Sequence, residues 1–223
     1  MKTSVARFGG FCSILYGLFS ALAGLVYFLL PAEQRLGVPG NVILPSFAQS
    51  PTMLNVENLS LGLVGLFGLA VVPAVAQFLG IKDSGWIRWS GSLANVGFAV
   101  SAVGSFIIIG RLPVIAAAYV KGDPSTQAAL AAVWRTTLDP LGVWGYGAVG
   151  LWVLVISLGL MRSPNKNFSS AFAYLGILTA LAYWLVPVAF LSHMPSLFFV
   201  VAGGGGVAIA IWFIWLGMTL QRS

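Results

Sequence analysis

An all-α membrane bundle of about six transmembrane helices, forming a single membrane domain over residues 1–223, is the fold this sequence predicts, and three observations predict it. Hydrophobic residues make up 59% of the chain and charged residues only 7%, with a mean hydropathy of +0.96, whereas a soluble domain is about a quarter charged. Six long stretches contain no Asp, Glu, Lys, Arg or His. The basic residues crowd into short segments that join these stretches on one side only, the pattern of the positive-inside rule.

A helix needs about 20 apolar residues to cross a hydrocarbon core about 30 Å thick. The first stretch, about Phe8 to Leu30, follows Lys2 and Arg7. A charged start and Ala21-Leu22-Ala23 also suit a secretory signal. The stretch outlasts a signal core of about 7 to 15 residues, however, and cleavage would leave an odd number of spans, so a retained helix is expected. Cys12 is the single cysteine, which leaves no intrachain disulfide and no cysteine metal cage.

The connection from Pro31 to Asn58 carries Pro31, Pro39, Pro45 and Pro51 among apolar residues, so it cannot be one continuous helix and is expected to fold over the outer surface. The second span runs from about Leu59 to Leu79 and contains Pro73; the third runs from Trp89 to Gly110. A second long connection, Arg111 to Pro140, includes Asp123-Pro124-Ser125, where Asp123 suits an N-cap and Pro124 the first helical position. The spacing predicts a helix from Pro124 to about Thr137, lying on the membrane or roofing the bundle with Ala128, Leu130, Ala131, Val133 and Trp134. The last three spans are expected at Leu141 to Met161, Phe168 to Leu191 with Pro187, and Leu197 to Thr219.

The two long connections share one side. They hold Arg35, Arg111, Lys121 and Arg135 against Glu33, Glu57, Asp123 and Asp139. The other side holds Lys2, Arg7, Lys82, Arg88, Arg162, Lys166 and Arg222, with Asp83 as its one acid. The basic side and both termini are therefore expected in the cytoplasm, with Trp86 and Trp89 in an inner aromatic belt. The basic residues form no continuous stripe, which argues against nucleic-acid binding.

Small residues recur at four-residue steps: Ser13, Gly17 and Ala21; Gly91, Asn95 and Ala99; Gly97, Ser101 and Ser105. Such steps predict close helix packing, and Asn95 is expected to bond a neighbouring helix. Gly203, Gly204, Gly205 and Gly206 leave a bare backbone strip, suited first to a neighbouring helix and otherwise to a flat apolar ligand or a hinge. His193 is the single histidine; alone it suits a surface position better than the axial ligand of a haem or pigment, and no residue pattern identifies a cofactor. Glu57 and Asp139 stand at starts of inward-running helices, where a carboxylate meets the positive end of the helix dipole. With Arg111, Arg135 and His193 they are the only candidates for an outer-surface cluster.

The stretches Asp139-Pro140-Leu141-Gly142-Val143-Trp144-Gly145-Tyr146-Gly147 and Leu175-Gly176-Ile177-Leu178-Thr179-Ala180-Leu181-Ala182-Tyr183 resemble uncharacterised bacterial families of multi-helix integral membrane proteins, covering about a third of the chain. The resemblance implies a bacterial membrane and brings no activity with it. Since the spans lack acids, bases and metal ligands, catalysis is not expected. The expected role is a noncatalytic subunit or scaffold packed against lipid, other membrane subunits, a second copy or pigment. The alternative is a carrier or binding protein for an apolar small molecule. Gly62, Gly65 and Gly68 echo Gly142, Gly145 and Gly147 as a weak parallel repeat, better read as chance than as an inverted-repeat transporter.

Overall fold

The computed structural model describes residues 2–35, 37–79, 85–134, 137–162, 168–192 and 194–222, and no strand occurs among them. The helices are α1 (Lys2–Leu29), α2 (Gly40–Gln49), α3 (Thr52–Phe78), α4 (Gly85–Lys121), α5 (Pro124–Val133), α6 (Val149–Arg162), α7 (Ser170–Leu191) and α8 (Pro195–Gln221). A π-helical turn, Val143–Ala148, leads directly into α6. Six segments are long and apolar enough to cross a membrane: Val5–Leu29, Thr52–Phe78, Gly85–Lys121, Val143–Arg162, Ser170–Leu191 and Gly203–Gln221. The chain is a multi-pass integral membrane protein.

The spanning helices form a closed ring in chain order. α1 packs on α3, α3 on α4, α4 on α6, α6 on α7 and α7 on α8, while α8 returns to α1. Six crossings put both termini at one end, the terminal end; α2 and α5 occupy the other, the cap end. Because lipid is as apolar as a leucine side chain, such helices associate through close packing rather than hydrophobic drive, and small residues set the seams. A Cβ at Gly217 would stand 2.5 Å from the Gly10 carbonyl oxygen, so α1 and α8 meet backbone to backbone. At the same seam the Ser13 hydroxyl donates to the Phe213 carbonyl at 2.6 Å. Gly65 and Gly68 seat Ala102 and Phe98 of α4.

The expected small-residue steps divide by face. Ser13 is buried and Gly17 packs on Ala210 and Ile214, whereas Ala21 is exposed. Gly91 meets Val72, Gly97 receives the Trp144 carbonyl, and Ser101 stands opposite Gly145. The ring's interior is filled by large rings: Trp152 meets Trp212 edge to face at 6.0 Å, and Phe172 stacks on Trp212 at 5.0 Å. Aromatic pairs of this kind add about 0.5–1.5 kcal/mol beyond the area they bury.

The cap departs from the sequence expectation in extent. α3 starts at Thr52 rather than Leu59, and α4 runs through Pro113 to Lys121 instead of ending at Gly110. Pro113 forfeits one backbone hydrogen bond. In return, Leu112 and Ala116 are buried with Ile43, Leu44 and Phe47 of α2 in a second small core, completed by Leu30 and Leu54. The proline-rich connection does break, into a 3-10 turn at Ala32–Gln34 and the ten-residue α2, whose buried Gly40, Ile43, Leu44 and Phe47 lie on one face. Gln34 ties turn to helix by donating to the Ser46 and Ser50 carbonyls at 3.1 and 2.9 Å. Arg35 caps the end of α1 through the Leu30 and Phe28 carbonyls.

α5 begins as predicted. The Asp123 carboxylate accepts from the Thr126 amide at 2.7 Å and the Ser125 hydroxyl at 2.8 Å, and these bonds hold its carboxyl below the usual range. The helix ends at Val133, short of Thr137, and roofs α2, where Gly40 lies against the Ala131 backbone.

Candidate functional site

Two features stand out: a polar column inside the ring and a bare stretch of α4 beyond it. The column starts at Glu57. Because α3 begins at Thr52, this residue sits in the second helical turn, half-buried, with no ion pair to any described cation. Tyr146 lies within electrostatic range of Glu57, and also of Tyr27 and Asp139.

Tyr146 owes its position to the π-helical turn. Gly142 has φ +68°, a left-handed conformation that glycine adopts without strain, and the Asp139 carboxylate accepts from the Trp144 and Gly145 amides at 3.0 and 2.7 Å. Asp139 thus satisfies amides that a helix start would otherwise leave orphaned. The widened turn presses the Trp144 carbonyl onto Gly97, and a side chain there would collide with it. π-turns of this type are rare and occur frequently at functional sites.

From Tyr146 the column descends. Its ring meets Tyr183 of α7 edge to face at 5.2 Å, the Tyr183 side chain interacts with that of Tyr16 on α1, and Tyr16 stacks on Phe213 at 3.6 Å. Three phenols from three segments therefore line up beneath one carboxylate. Phenols donate and accept, a carboxylate accepts, and surrounding apolar side chains strengthen both interactions. The set suits holding a hydrogen-bond donor or a cationic group. It contains no nucleophile–base pair, and no group of three His, Cys, Asp or Glu able to hold a metal occurs among the described residues.

A second polar knot lies nearer the terminal end. Ser157, Thr179 and Trp212 are fully buried, and their Oγ, Oγ1 and Nε1 atoms have no hydrogen-bond partner. Gly176 makes room for it: a Cβ there would overlap Ser157 Oγ and stand 2.7 Å from Trp212 Nε1. The Asn95 Oδ1 atom is likewise buried and unpaired.

Arg111 is exposed on α4, while Arg135 and His193 lie outside the described residues. Of the described members of the five-residue surface cluster, Glu57 and Asp139 both lie within electrostatic range of Tyr146. The four glycines form no single strip, since successive helical residues point about 100° apart. Gly203 faces Phe28 of α1 and Gly205 faces Ala182 of α7, while Gly204 and Gly206 face open space.

The bare stretch begins where α4 leaves the membrane. Its 37 residues measure about 55 Å, against a hydrocarbon core of about 30 Å. With exposed Trp86 and Trp89 at one interface, about 20 residues bring the helix to Ile109, and Arg111 follows. Counted this way, Leu112 to Lys121 extend beyond a hydrocarbon core of about 30 Å. One face of this stretch packs on α2; the other carries exposed Val114, Ala117, Ala118 and Val120.

The tyrosines carry neither an amide nor a charge, so the polar groups that stand out within the spans do not include them. A usable signal was present: tyrosines favour the two interfaces of a membrane, and Tyr16 and Tyr183 lie well inside their runs. Comparison with protein families, curated proteins and solved structures returned no match for this chain.

Proposed function

We propose that the protein is a noncatalytic integral membrane subunit or scaffold that docks a protein partner on the cap-end face of α4. The observation that carries this reading is the apolar stretch beyond the bilayer, where Val114 is 69% and Val120 57% exposed. Lipid covers exposed valines within a span, but these two stand where water or protein must cover them, and contiguous bare apolar surface in water marks an interaction site. The charge asymmetry supports a cytoplasmic terminal end, in a bacterial inner membrane or its equivalent, with the partner binding from outside.

Native mass spectrometry after gentle extraction tests the reading. The wild type is expected to leave its membrane with a second polypeptide, or a second copy, in fixed ratio, and Val114→Glu with Val120→Glu is expected to abolish that species. A wild-type chain released bare would overturn the proposal.

The polar column favours a second reading, binding or carriage of an apolar small molecule with one cationic or hydrogen-donating group. A carboxylate among membrane helices without a cationic partner is costly, and such residues commonly mark ligand or ion pathways. One stoichiometric small molecule on a bare chain, lost from Glu57→Gln, would support it. An absorption spectrum of the same sample reports any pigment.

A further inference from the structure

We infer that the terminal end of α8 holds the headgroup of one anionic phospholipid. A crevice of about 270 Å³ opens on the outer face of the ring there, lined by Trp215, Met218, Thr219 and Arg222. Met218, Thr219 and Arg222 lie three, four and seven positions beyond Trp215, so the four share a single helix face. The space accommodates a phosphodiester with part of its glycerol.

The lining matches the layers of a lipid molecule in order. Arg222, exposed at the helix end, offers a planar set of donors suited to phosphate oxygens. The Thr219 hydroxyl already donates to the Trp215 carbonyl at 3.0 Å, which leaves Arg222 as the main donor. Trp215 and Met218 form an apolar floor just inside the hydrocarbon boundary, the depth at which tryptophan concentrates. The same face continues with exposed Ile211 and Val207, about 16 and 22 Å from Arg222, along which an acyl chain can lie.

Electrostatics choose among lipids. Arg7, Arg88, Arg162 and Arg222 are all exposed at this end, and all four described carboxylates, Glu33, Glu57, Asp123 and Asp139, belong to the cap end. A phosphate beside Arg222 also faces the negative end of the α8 dipole. Phe172, in the first turn of α7, packs on Trp215 at 5.6 Å, so the positive end of α7 lies about two turns of α8 from Arg222. Among the described residues, Arg222 is the one basic residue that lines the crevice, and a basic residue beside the phosphate favours anionic lipid by about 1 kcal/mol, roughly a fivefold preference.

The test is native mass spectrometry of the full chain from micelles containing phosphatidylglycerol and phosphatidylcholine with identical acyl chains. The wild type is expected to retain one phosphatidylglycerol through delipidation. Arg222→Gln should lower that retention about fivefold, while Arg162→Gln, which keeps the crevice, should leave it unchanged. Equal retention of the two lipids, or an Arg222→Gln chain that holds phosphatidylglycerol as well as the wild type, would overturn the inference. Displacement of the lipid by millimolar inorganic phosphate would also overturn it, by making the crevice a site for free phosphate. Because the crevice and the docking face lie at opposite ends, failure of one leaves the other standing.

Discussion

Within the ring, α4 is held by backbone-close contacts to α3 and to the π-helical turn, with Gly97 against the Trp144 carbonyl and Ala102 against Gly65. In the cap the same helix rests on α2 by one face, through Leu112 and Ala116, and its opposite face is left exposed by the described residues. The ring is thus built as lipid demands, by shape and small residues, and the cap as water demands, by an amphipathic face. The two regions should fail differently when damaged.

The largest difference is expected from paired truncations. Trp212→Ala removes a fully buried indole from the centre of the ring and should cost about 3–5 kcal/mol, lowering the melting temperature of the whole protein. Phe47→Ala, at a site just as buried, should loosen α2 and α5 while the spans stay folded. Hydrogen exchange resolved along the chain separates these outcomes. Loss of protection throughout the spans of Phe47→Ala would show that ring and cap are one cooperative unit.

A smaller effect distinguishes neighbouring glycines. Gly205→Leu forces a side chain against Ala182, whose Cβ lies 3.1 Å from the position of an added Cβ, and should cost about 1–3 kcal/mol. Gly204→Leu meets nothing within 4 Å and should fall within about 0.5 kcal/mol of wild type in thermal melts. Equal damage from both would mean that something binds at Gly204.

The smallest effect belongs to the cap's surface. Asp123→Ala should fray the first turn of α5 alone, seen as faster amide exchange at Thr126 and Gln127. The Asp123 carboxyl is held low by its hydrogen bonds to the Thr126 amide and the Ser125 hydroxyl, so its folded value lies below its unfolded one. Its contribution is therefore complete above the unfolded value and disappears as pH falls through the folded one. In the wild type, α5 protection should hold across neutral and mildly acidic pH and decline only in stronger acid.

Much of this division could be read in the sequence. The uncharged stretches revealed the spans because hydrophobic length is a one-dimensional property, and Asp123-Pro124 revealed a helix start because capping is local. The ends of α3 and α4 were not legible: Glu57, Arg111 and Pro113 look like boundaries locally, yet the burial of Leu54, Leu112 and Ala116 against α2 carries both helices past them. The polar column was hidden for a related reason. Tyr16, Tyr146 and Tyr183 are far apart in the chain, and their meeting depends on closure of the ring and on a π-turn that no periodicity announces. Asp139 was legible as a helix-start carboxylate, but its grip on the Trp144 and Gly145 amides was not.

Docking on α4 is tested most directly by placing single cysteines at Val103, Val114 and Val120 in a Cys12→Ser background and labelling them with a membrane-impermeant maleimide. In purified protein in lipid nanodiscs, positions 114 and 120 should label rapidly and position 103 should not. In native membranes, 114 and 120 should become protected. Equal labelling of positions 114 and 120 in both settings would show that nothing covers this face and would contradict the docking role.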